Sequence, residues 1–339
     1  MQGFDRLEAG ALMEQQSHHH FRAVRMLAAT TVFWSLSFPL VKAITIVQDG
    51  LIPGSASWFH AGLTGFTRFA CAALVLALFS PRALSRVTGS ELWEGAGLGF
   101  FSGSGILLQM DGLSHTSAST SAFLTQAFCV VVPIIVAFRD RQAPSSRVVI
   151  ALLLLMLGVA ILSNFNFQTL RLGRGETETL ISALFFGAQI VWLERPIFAR
   201  NNVQHFSMVM FATMALMSFP LVLLTWQKPA DVWLCYSNPA VLLLTAALTL
   251  FCTVIAFVAM NKWQRFVPAT EAAIIYGAEP VFASLLTLFL PGLISRFAQI
   301  NYPNERITGQ LLIGGALVLA ANLILQLRQA APNRSEGAL

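Results

Sequence analysis

The chain has 339 residues, of which 56% are hydrophobic and only 11% carry a formal charge, whereas a soluble domain has about 25% charged residues. This composition, with a mean hydropathy of +0.68, excludes a disordered chain, a nucleic-acid-binding domain and an ordinary soluble enzyme. The 21 Lys and Arg residues give a net charge of +5 but are spread along the chain, so we interpret them as determinants of membrane orientation rather than as a basic patch.

Ten apolar stretches are each long enough for a helix to cross the hydrocarbon core of a bilayer, which takes about 20 residues. They are continuous rather than alternating, and this favours helices over the strands of a membrane barrel. We therefore predict an all-α integral membrane protein. Its ten transmembrane helices are expected at 24–46, 57–79, 92–110, 117–138, 147–164, 178–195, 204–226, 238–260, 270–290 and 307–327.

The distribution of Lys and Arg predicts the orientation of these spans. One side of the membrane would carry 14 of them, the other side six, and Arg68 lies within a span. Because cytoplasmic loops are enriched in Lys and Arg, we expect both tails, residues 1–23 and 328–339, to be cytoplasmic. The pattern suits a bacterial inner membrane.

The N-terminal tail contains the triplet His18-His19-His20. The triplet lacks the Cys or carboxylate ligands that would complete a metal site. We therefore expect a flexible tail here, and no metal or other cofactor is predicted.

Two segments 151 residues apart resemble each other: SHTSASTSAFLTQAFCVVVPII from Ser114 and RFVPATEAAIIYGAEPVFASLL from Arg265. Each places small residues before a helix and a proline within the span. The shift divides the chain into two sets of five spans, at 24–164 and 178–327. Because five is odd, the second set would enter the membrane from the opposite side, which makes an inverted repeat like those of many secondary transporters.

Four stretches carry a resemblance to the EamA-type drug/metabolite transporters, a ten-helix superfamily. They are VFWSLSFPLVKA (Val32–Ala43), GFTRFACAALVLAL (Gly65–Leu78), LLQMDGLSHTSASTSAFLTQAFCVVVPI (Leu107–Ile134) and PATEAAIIYGAEPVFASLL (Pro268–Leu286). The resemblance covers about 24–327. It implies two five-helix inverted repeats, a central cavity, and export or exchange of small metabolites. Two turns depart from the family pattern: the stretch from Pro291 to Ile307 is long, and RDRQAPSSR replaces a Gly-Glu turn after the fourth span.

Two charged residues are predicted deep within the membrane, where a charge costs at least ~2.5–3.5 kcal/mol. Arg68, in the middle of the second span, either faces a cavity, where it holds a substrate carboxylate or phosphate or gates the path, or forms a buried pair with an acidic residue or with helix-end carbonyls. Glu279 precedes Pro280 in the ninth span. It either exchanges protons or binds substrate in the cavity, or it pairs with Arg68 and locks the bundle.

Other side chains within the apolar spans complete the candidates for substrate binding or coupling. The amides either bind a polar metabolite or join helices, and two hydroxyl groups lie at positions related by the 151-residue shift. These candidates are Gln109, Gln126, Gln189, Trp34, Thr125 and Tyr276. Three prolines are candidate hinges: Pro39, Pro133 and Pro280.

We predict a secondary transporter that moves a small polar metabolite, of the amino acid or organic anion class, by alternating access, and that works as an exporter. The sequence lacks the GxxxxGK[ST] loop that binds nucleotide phosphates, so a proton or a counter-metabolite would drive the transport. An integral-membrane enzyme, a channel and a non-transporting scaffold are the alternatives. Gly99 and Gly103 favour packing within the bundle and leave a homodimer open; the expected partners are the substrate and the lipid bilayer, and no nucleic acid.

Overall fold

All the regular secondary structure is helical in a computed structural model of the chain, which describes residues 2–81, 86–116, 118–162 and 172–326. This agrees with the composition, because a helix satisfies its backbone hydrogen bonds internally and can therefore lie in lipid. Within those ranges, helices cover each of the ten predicted stretches.

The first half of the chain contains five predicted spans, built from seven helices. The first and fourth spans each consist of two helices separated by a short break. The helices are α1 (Gln2–Ser35), α2 (Ser37–Leu51), α3 (Ser57–Phe79), α4 (Gly89–His115), α5 (Ala118–Thr125), α6 (Phe128–Asp140) and α7 (Ser146–Leu162).

Residues 172–326, the described part of the second half, contain nine α-helices, of which two short ones, α10 and α15, lie between the predicted spans. The eighth span also has a π-helical turn, Leu250–Ile255, between α11 and α12. The helices are α8 (Arg174–Leu193), α9 (Val203–Thr225), α10 (Ala230–Ser237), α11 (Pro239–Thr249), α12 (Ala256–Trp263), α13 (Ala269–Tyr276), α14 (Glu279–Thr287), α15 (Leu290–Ala298) and α16 (Gly309–Gln326).

The breaks in the fourth and ninth spans follow the predicted shift of 151 residues. Helix α5 begins at Ala118 and ends at Thr125, while α13 begins at Ala269 and ends at Tyr276. Each break is a tight turn with bonds between residues three apart: Cys129 N donates to Gln126 O at 2.9 Å, as Val281 N does to Ala278 O at 3.1 Å. In the second half Pro280 follows the break directly, where its missing N–H costs nothing.

Helix packing has the same pseudo-symmetry. Helix α4 packs against α8 and α9, and its counterpart, α11 with α12, packs against α1, α2 and α3. The pairs α3–α9 and α7–α16 join equivalent helices of the two halves. The repeat found in the sequence is therefore also a repeat of helix contacts.

Glycines on α4 allow its backbone to approach neighbouring helices closely. A Cβ atom on Gly95 would lie 2.5 Å from Phe206 O, and one on Gly99 would lie 2.7 Å from Met210 O. Gly103 likewise faces α9, through Met217. The GxxxG spacing therefore serves packing within the bundle.

The N-terminal segment differs from the predicted flexible tail. Its backbone is helical from Gln2 and continues into the first span without interruption. Near the span, His19 stacks on Phe266, and His20 Nδ1 lies 3.1 Å from Phe266 O. The expectation of a flexible tail for the His triplet is therefore wrong for these two residues, because they contact the chain 246 or more residues away. Residues 328–339, the predicted C-terminal tail, lie outside the described residues.

The three candidate hinges lie in different settings. Pro39 follows the break at Leu36 between α1 and α2, and Pro280 follows the break between α13 and α14. A proline frees a carbonyl one turn earlier, which fits a break just before each of them. Helix α6 instead runs through Pro133 without interruption.

Five helical segments of the described chain are long and apolar enough to cross a membrane: His19–Leu51, Ser57–Phe79, Phe123–Asp140, Val203–Thr225 and Pro239–Phe266. A sixth crossing is formed if Ala269–Thr287 and Leu290–Ala298, which are bent by 57°, count as one span. Helices α7 and α16 are apolar but shorter. Helices α4 and α8 coincide with predicted spans but carry more charged or small residues. The structure is thus consistent with ten spans, of which five, or six with the bent pair, are identified by length and apolarity in the described residues.

The close contact at Gly99 generates a prediction. Replacing Gly99 by Ala should lower the free energy of unfolding by about 1–3 kcal/mol, the usual cost of overpacking, because the added methyl meets a backbone carbonyl that cannot rotate away. Thermal unfolding of the purified protein in detergent measures the effect. Gly309→Ala is the matched control, since a Cβ there meets nothing within 4 Å. Equal stability of the two variants would contradict the packing argument.

Candidate functional site

A cavity lies among helices from both halves of the chain. It encloses about 900 Å³ of unfilled space, including its open mouth. Seven of the eight residues predicted to bind substrate or to couple transport line it: Trp34, Arg68, Gln109, Thr125, Gln189, Tyr276 and Glu279. The fold therefore brings together side chains that are up to 245 residues apart in the sequence.

The lining has the symmetry of the repeat. Four pairs of lining residues are 151 positions apart: Ile106 and Phe257, Gln109 and Met260, Thr125 and Tyr276, Phe128 and Glu279. Three more pairs, on the first and sixth spans, are 152 positions apart: Trp34 and Phe186, Ser37 and Gln189, Phe38 and Ile190. The two backbone positions of a pair are equivalent, but their side chains can differ in polarity. Gln109 and Glu279 are polar, whereas their counterparts Met260 and Phe128 are apolar.

Arg68 is held by the π-helical turn of the eighth span. Its Nη2 donates to Cys252 O at 3.0 Å, and its Nε donates to Thr253 Oγ1. The wider π turn leaves the Cys252 carbonyl available to a side chain. Only 4% of Arg68 is exposed, so its charge is compensated by a carbonyl dipole and a hydroxyl. In the sequence, Thr253 within an apolar run is the one feature that marks the position of this turn.

Glu279 has no such compensation. Its carboxylate faces the cavity and forms no hydrogen bond or ion pair with the described residues, while its backbone carbonyl accepts a bond from Ser35 Oγ at 2.8 Å. The Arg68–Glu279 pair, one of the sequence alternatives, is not formed, since the guanidinium is bound to the π turn. A carboxylate in a membrane-embedded cavity is costly to keep charged without a cation. Glu279 is therefore a candidate for binding a cationic group or a proton.

Two glutamines face the cavity with their carbonyl oxygens unused. Gln109 Nε2 donates to Thr125 Oγ1 at 3.1 Å, and Thr125 in turn donates to Ser121 O at 2.8 Å. Gln189 Nε2 lies 3.5 Å from Met260 Sδ. The described residues donate no hydrogen bond to the side-chain oxygen of either glutamine. Both oxygens are available to accept one from a ligand.

Aromatic rings form the walls. Trp34 packs against Phe257 and Tyr276, with ring centroids 5.3 and 5.1 Å apart. Three further Phe residues, Phe38, Phe128 and Phe186, complete the aromatic lining. Sequence reasoning missed these four Phe residues, because the chain contains 27 Phe and their type alone does not distinguish a cavity wall from a lipid-facing surface.

Two candidates differ from expectation in what they offer the cavity. Tyr276 contributes its ring, but its hydroxyl points away and donates to Gln264 Oε1 at 3.0 Å. Gln126 lies outside the lining, at the break between α5 and α6, where it is fully buried near Cys129. The turn at the break directs the Gln126 side chain away from the cavity.

A Ser-His-Asp grouping that the sequence spacing did not suggest lies outside the cavity. His60 Nδ1 is 3.2 Å from Asp49 Oδ1, and His60 Nε2 contacts Ser55 Oγ. Ser55 Oγ also lies 2.9 Å from Ile52 O, so the hydroxyl has a backbone acceptor as well as the imidazole. These contacts connect the end of α2 to the start of α3, so the grouping is suited to stabilising the loop between them.

Comparison with known proteins agrees with the fold. Residues 174–327 match the model of the EamA-like transporter family. An uncharacterized transporter of Archaeoglobus fulgidus is 26% identical over 305 residues, which is 89% of this chain and 85% of that protein. A crystal structure with 16% sequence identity superposes with a TM-score of 0.65 over 90% of this chain and 96% of the other, and shows the same fold. Residues 174–327 therefore form an EamA-like transporter domain, in a chain whose apolar helices indicate a multi-pass membrane protein.

Proposed function

We propose that the chain is a secondary transporter that exports small metabolites of the amino acid type by alternating access to the central cavity. The observation that carries this proposal is the unpaired Glu279 carboxylate, which faces the same aromatic-walled cavity as Arg68. The two five-helix halves, 24–164 and 178–327, would rock about this site as in other transporters with inverted repeats.

The chemistry of the lining favours a ligand with an ammonium group and an apolar body. Glu279 would take the ammonium group, and aromatic faces attract both cations and apolar surface. The free oxygens of Gln109 and Gln189 would accept N–H bonds. An organic anion without an amine fits less well, because the unpaired carboxylate would repel it. Arg68 would attract the carboxylate of an amino acid, and the zwitterion therefore uses both charges.

A single carboxylate that binds either the ammonium group of the substrate or a proton can couple the export of substrate to the import of protons. Binding of one displaces the other, so Glu279 would be charged only when the amine occupies the site. In this scheme an inward proton gradient drives export, and no nucleotide is needed. Proton–amine competition at Glu279 is thus the simplest coupling that the lining supports.

The Lys and Arg distribution supports insertion in a bacterial inner membrane with both tails in the cytoplasm. In the described residues, Arg139, Arg195 and Arg265 are near helix ends on the side expected to be cytoplasmic. Cysteine labelling of a residue in α10 from outside intact cells would test this orientation, because α10 lies on the opposite side.

The proposed function is tested by reconstitution. Purified protein in proteoliposomes should exchange radiolabelled aromatic and aliphatic amino acids with saturable kinetics, and an inward proton gradient should drive their efflux. Saturable flux of organic anions without flux of amines or amino acids would overturn the proposed substrate class. Absence of saturable flux for all these compounds would count against the carrier itself.

The role of Glu279 makes a specific prediction. Glu279→Gln should lower amino acid flux by about 10- to 100-fold, which corresponds to the roughly 1.5–3 kcal/mol of a charge-assisted hydrogen bond. The residual flux should no longer respond to a pH gradient. Glu305→Gln is the control, because Glu305 is an exposed carboxylate outside the cavity that accepts from Thr287 Oγ1 and is not expected to affect flux. A pH response equal to that of the unmodified chain would exclude proton exchange at Glu279.

Arg68 is tested by comparing two substrates. If it binds the substrate carboxylate, Arg68→Lys should reduce flux of phenylalanine more than flux of phenethylamine, which has the same ring and amine but lacks the carboxylate. Thermal unfolding measured in parallel reports the loss of the bonds to the π turn, which affects both substrates equally. An equal decrease for the two compounds would assign Arg68 a structural role alone.

A further inference from the structure

The cavity is deeper towards one end of the bundle than towards the other. Val41 and Leu113 line it near the ends of the first and third spans, whereas their repeat counterparts Leu193 and Gln264 do not. Leu193 is 2% exposed and Gln264 is 1% exposed. The lining therefore departs from the pseudo-symmetry at its two ends. The cavity reaches Val41 and Leu113 at one end but is closed before Leu193 and Gln264 at the other.

The seal is organised by one turn of 3₁₀ helix, Gln264–Phe266, at the end of the eighth span. Gln264 accepts from the Tyr276 hydroxyl and donates to Ile190 O at 2.8 Å, and both of these partners line the cavity floor. The Phe266 carbonyl contacts His20 on the first span. This turn thus joins the floor of the cavity to the first, sixth and ninth spans.

Arg265, in the middle of the turn, reaches the third span. Its Nη2 donates to Glu94 Oε1 at 2.9 Å and its Nη1 to Asn201 O at 2.9 Å. Asn201 Nδ2 donates to the second oxygen of Glu94 at 2.8 Å. The Glu94 side chain is fully buried, so the pair is shielded from the screening that weakens surface ion pairs. The Glu94–Arg265 pair connects the third and eighth spans, which are repeat counterparts on either side of the cavity.

No such connection occurs among the described residues of the opposite end. Under the 151-residue shift, Glu94 corresponds to Thr245 and Arg265 to Ser114, and neither residue is charged. A buried carboxylate does occur at that end, since Asp111 accepts from Arg174 Nη2 at 2.5 Å and from Ser57 Oγ at 2.6 Å. This group joins the second, third and sixth spans and does not include the eighth span.

We infer that the Glu94–Arg265 pair and the Gln264–Phe266 turn form a gate that closes one end of the cavity, the end expected to face the cytoplasm, and that the structure represents the state closed there. This inference rests on the proposal that the cavity is the transport pathway. To open at that end, the chain must separate Arg265 from Glu94 and Gln264 from Ile190. Because the described residues form no equivalent pair at the other end, the resting protein favours the state in which the cavity is open to the outside.

The gate is tested by cysteine accessibility, which needs no substrate. The four native cysteines are first replaced, and one reporter is introduced at a time: Val41→Cys on the open side or Leu193→Cys behind the seal. Membrane-impermeant maleimide is then applied to right-side-out or to inside-out vesicles. With the gate intact, Val41→Cys should be labelled from the outside and Leu193→Cys from neither side.

Glu94→Gln should raise the labelling rate of Leu193→Cys from the cytoplasmic side at least tenfold and lower that of Val41→Cys from the outside. Arg265→Gln should act in the same direction, and it serves as the second variant if Glu94→Gln folds poorly in a thermal unfolding assay. Asp111→Asn is the matched control, because it also removes a fully buried carboxylate bound to an arginine. It should leave cytoplasmic labelling of Leu193→Cys unchanged.

Three results would overturn the gate: unchanged labelling in both folded gate variants, the same increase in Asp111→Asn, or labelling of Leu193→Cys from the cytoplasm with the pair intact. Flux measurements distinguish a failure of the gate from a failure of the proposed function. A shift in labelling without amino acid flux supports the gate and counts against the proposed substrate. Flux with unshifted labelling counts against the gate alone.

Discussion

The bilayer requires each helix to satisfy its own backbone hydrogen bonds, and the structure depends on how the chain compensates the few places where a helix is interrupted. These interruptions meet at the cavity. Ser35, next to the break in the first span, donates its hydroxyl to the Glu279 carbonyl at the break in the ninth span. Arg68 satisfies the carbonyl that the π turn exposes in the eighth span. Irregular backbone is thus tolerated where the two halves of the protein supply each other with partners.

The repeat explains the position of the site, and the departures from the repeat explain its chemistry. Under the 151-residue shift, Phe128 corresponds to Glu279, and Gln109 corresponds to Met260. One member of each pair is apolar and the other polar. A symmetrical scaffold therefore holds an asymmetrical lining, in which a single carboxylate without a partner lies among aromatic rings.

Three carboxylates of the third and ninth spans, Glu94, Asp111 and Glu279, have different tasks for the same physical reason. Glu94 and Asp111 each meet an arginine and hold helices together near opposite ends of the bundle. Glu279 has no arginine partner among the described residues, and a charge without a counter-ion is unstable in such an environment. An arginine thus ties Glu94 and Asp111 to neighbouring helices, whereas the Glu279 carboxylate is left facing the cavity.

The sequence by itself determined the helical class, the approximate limits of the spans and the 151-residue shift, because apolar runs and repeated motifs are properties of contiguous chain. The second span was predicted at 57–79 and is the helix Ser57–Phe79. The sequence also identified Arg68 and Glu279 as candidates, since a charged residue within an apolar run is recognisable wherever its helix lies. The tertiary structure decided that these two residues do not pair, that Gln126 points away from the cavity, and that Tyr276 turns its hydroxyl to Gln264. Those outcomes depend on how each helix is rotated about its axis and on which distant segment packs against it, and neither is encoded in hydropathy or spacing along one stretch of chain.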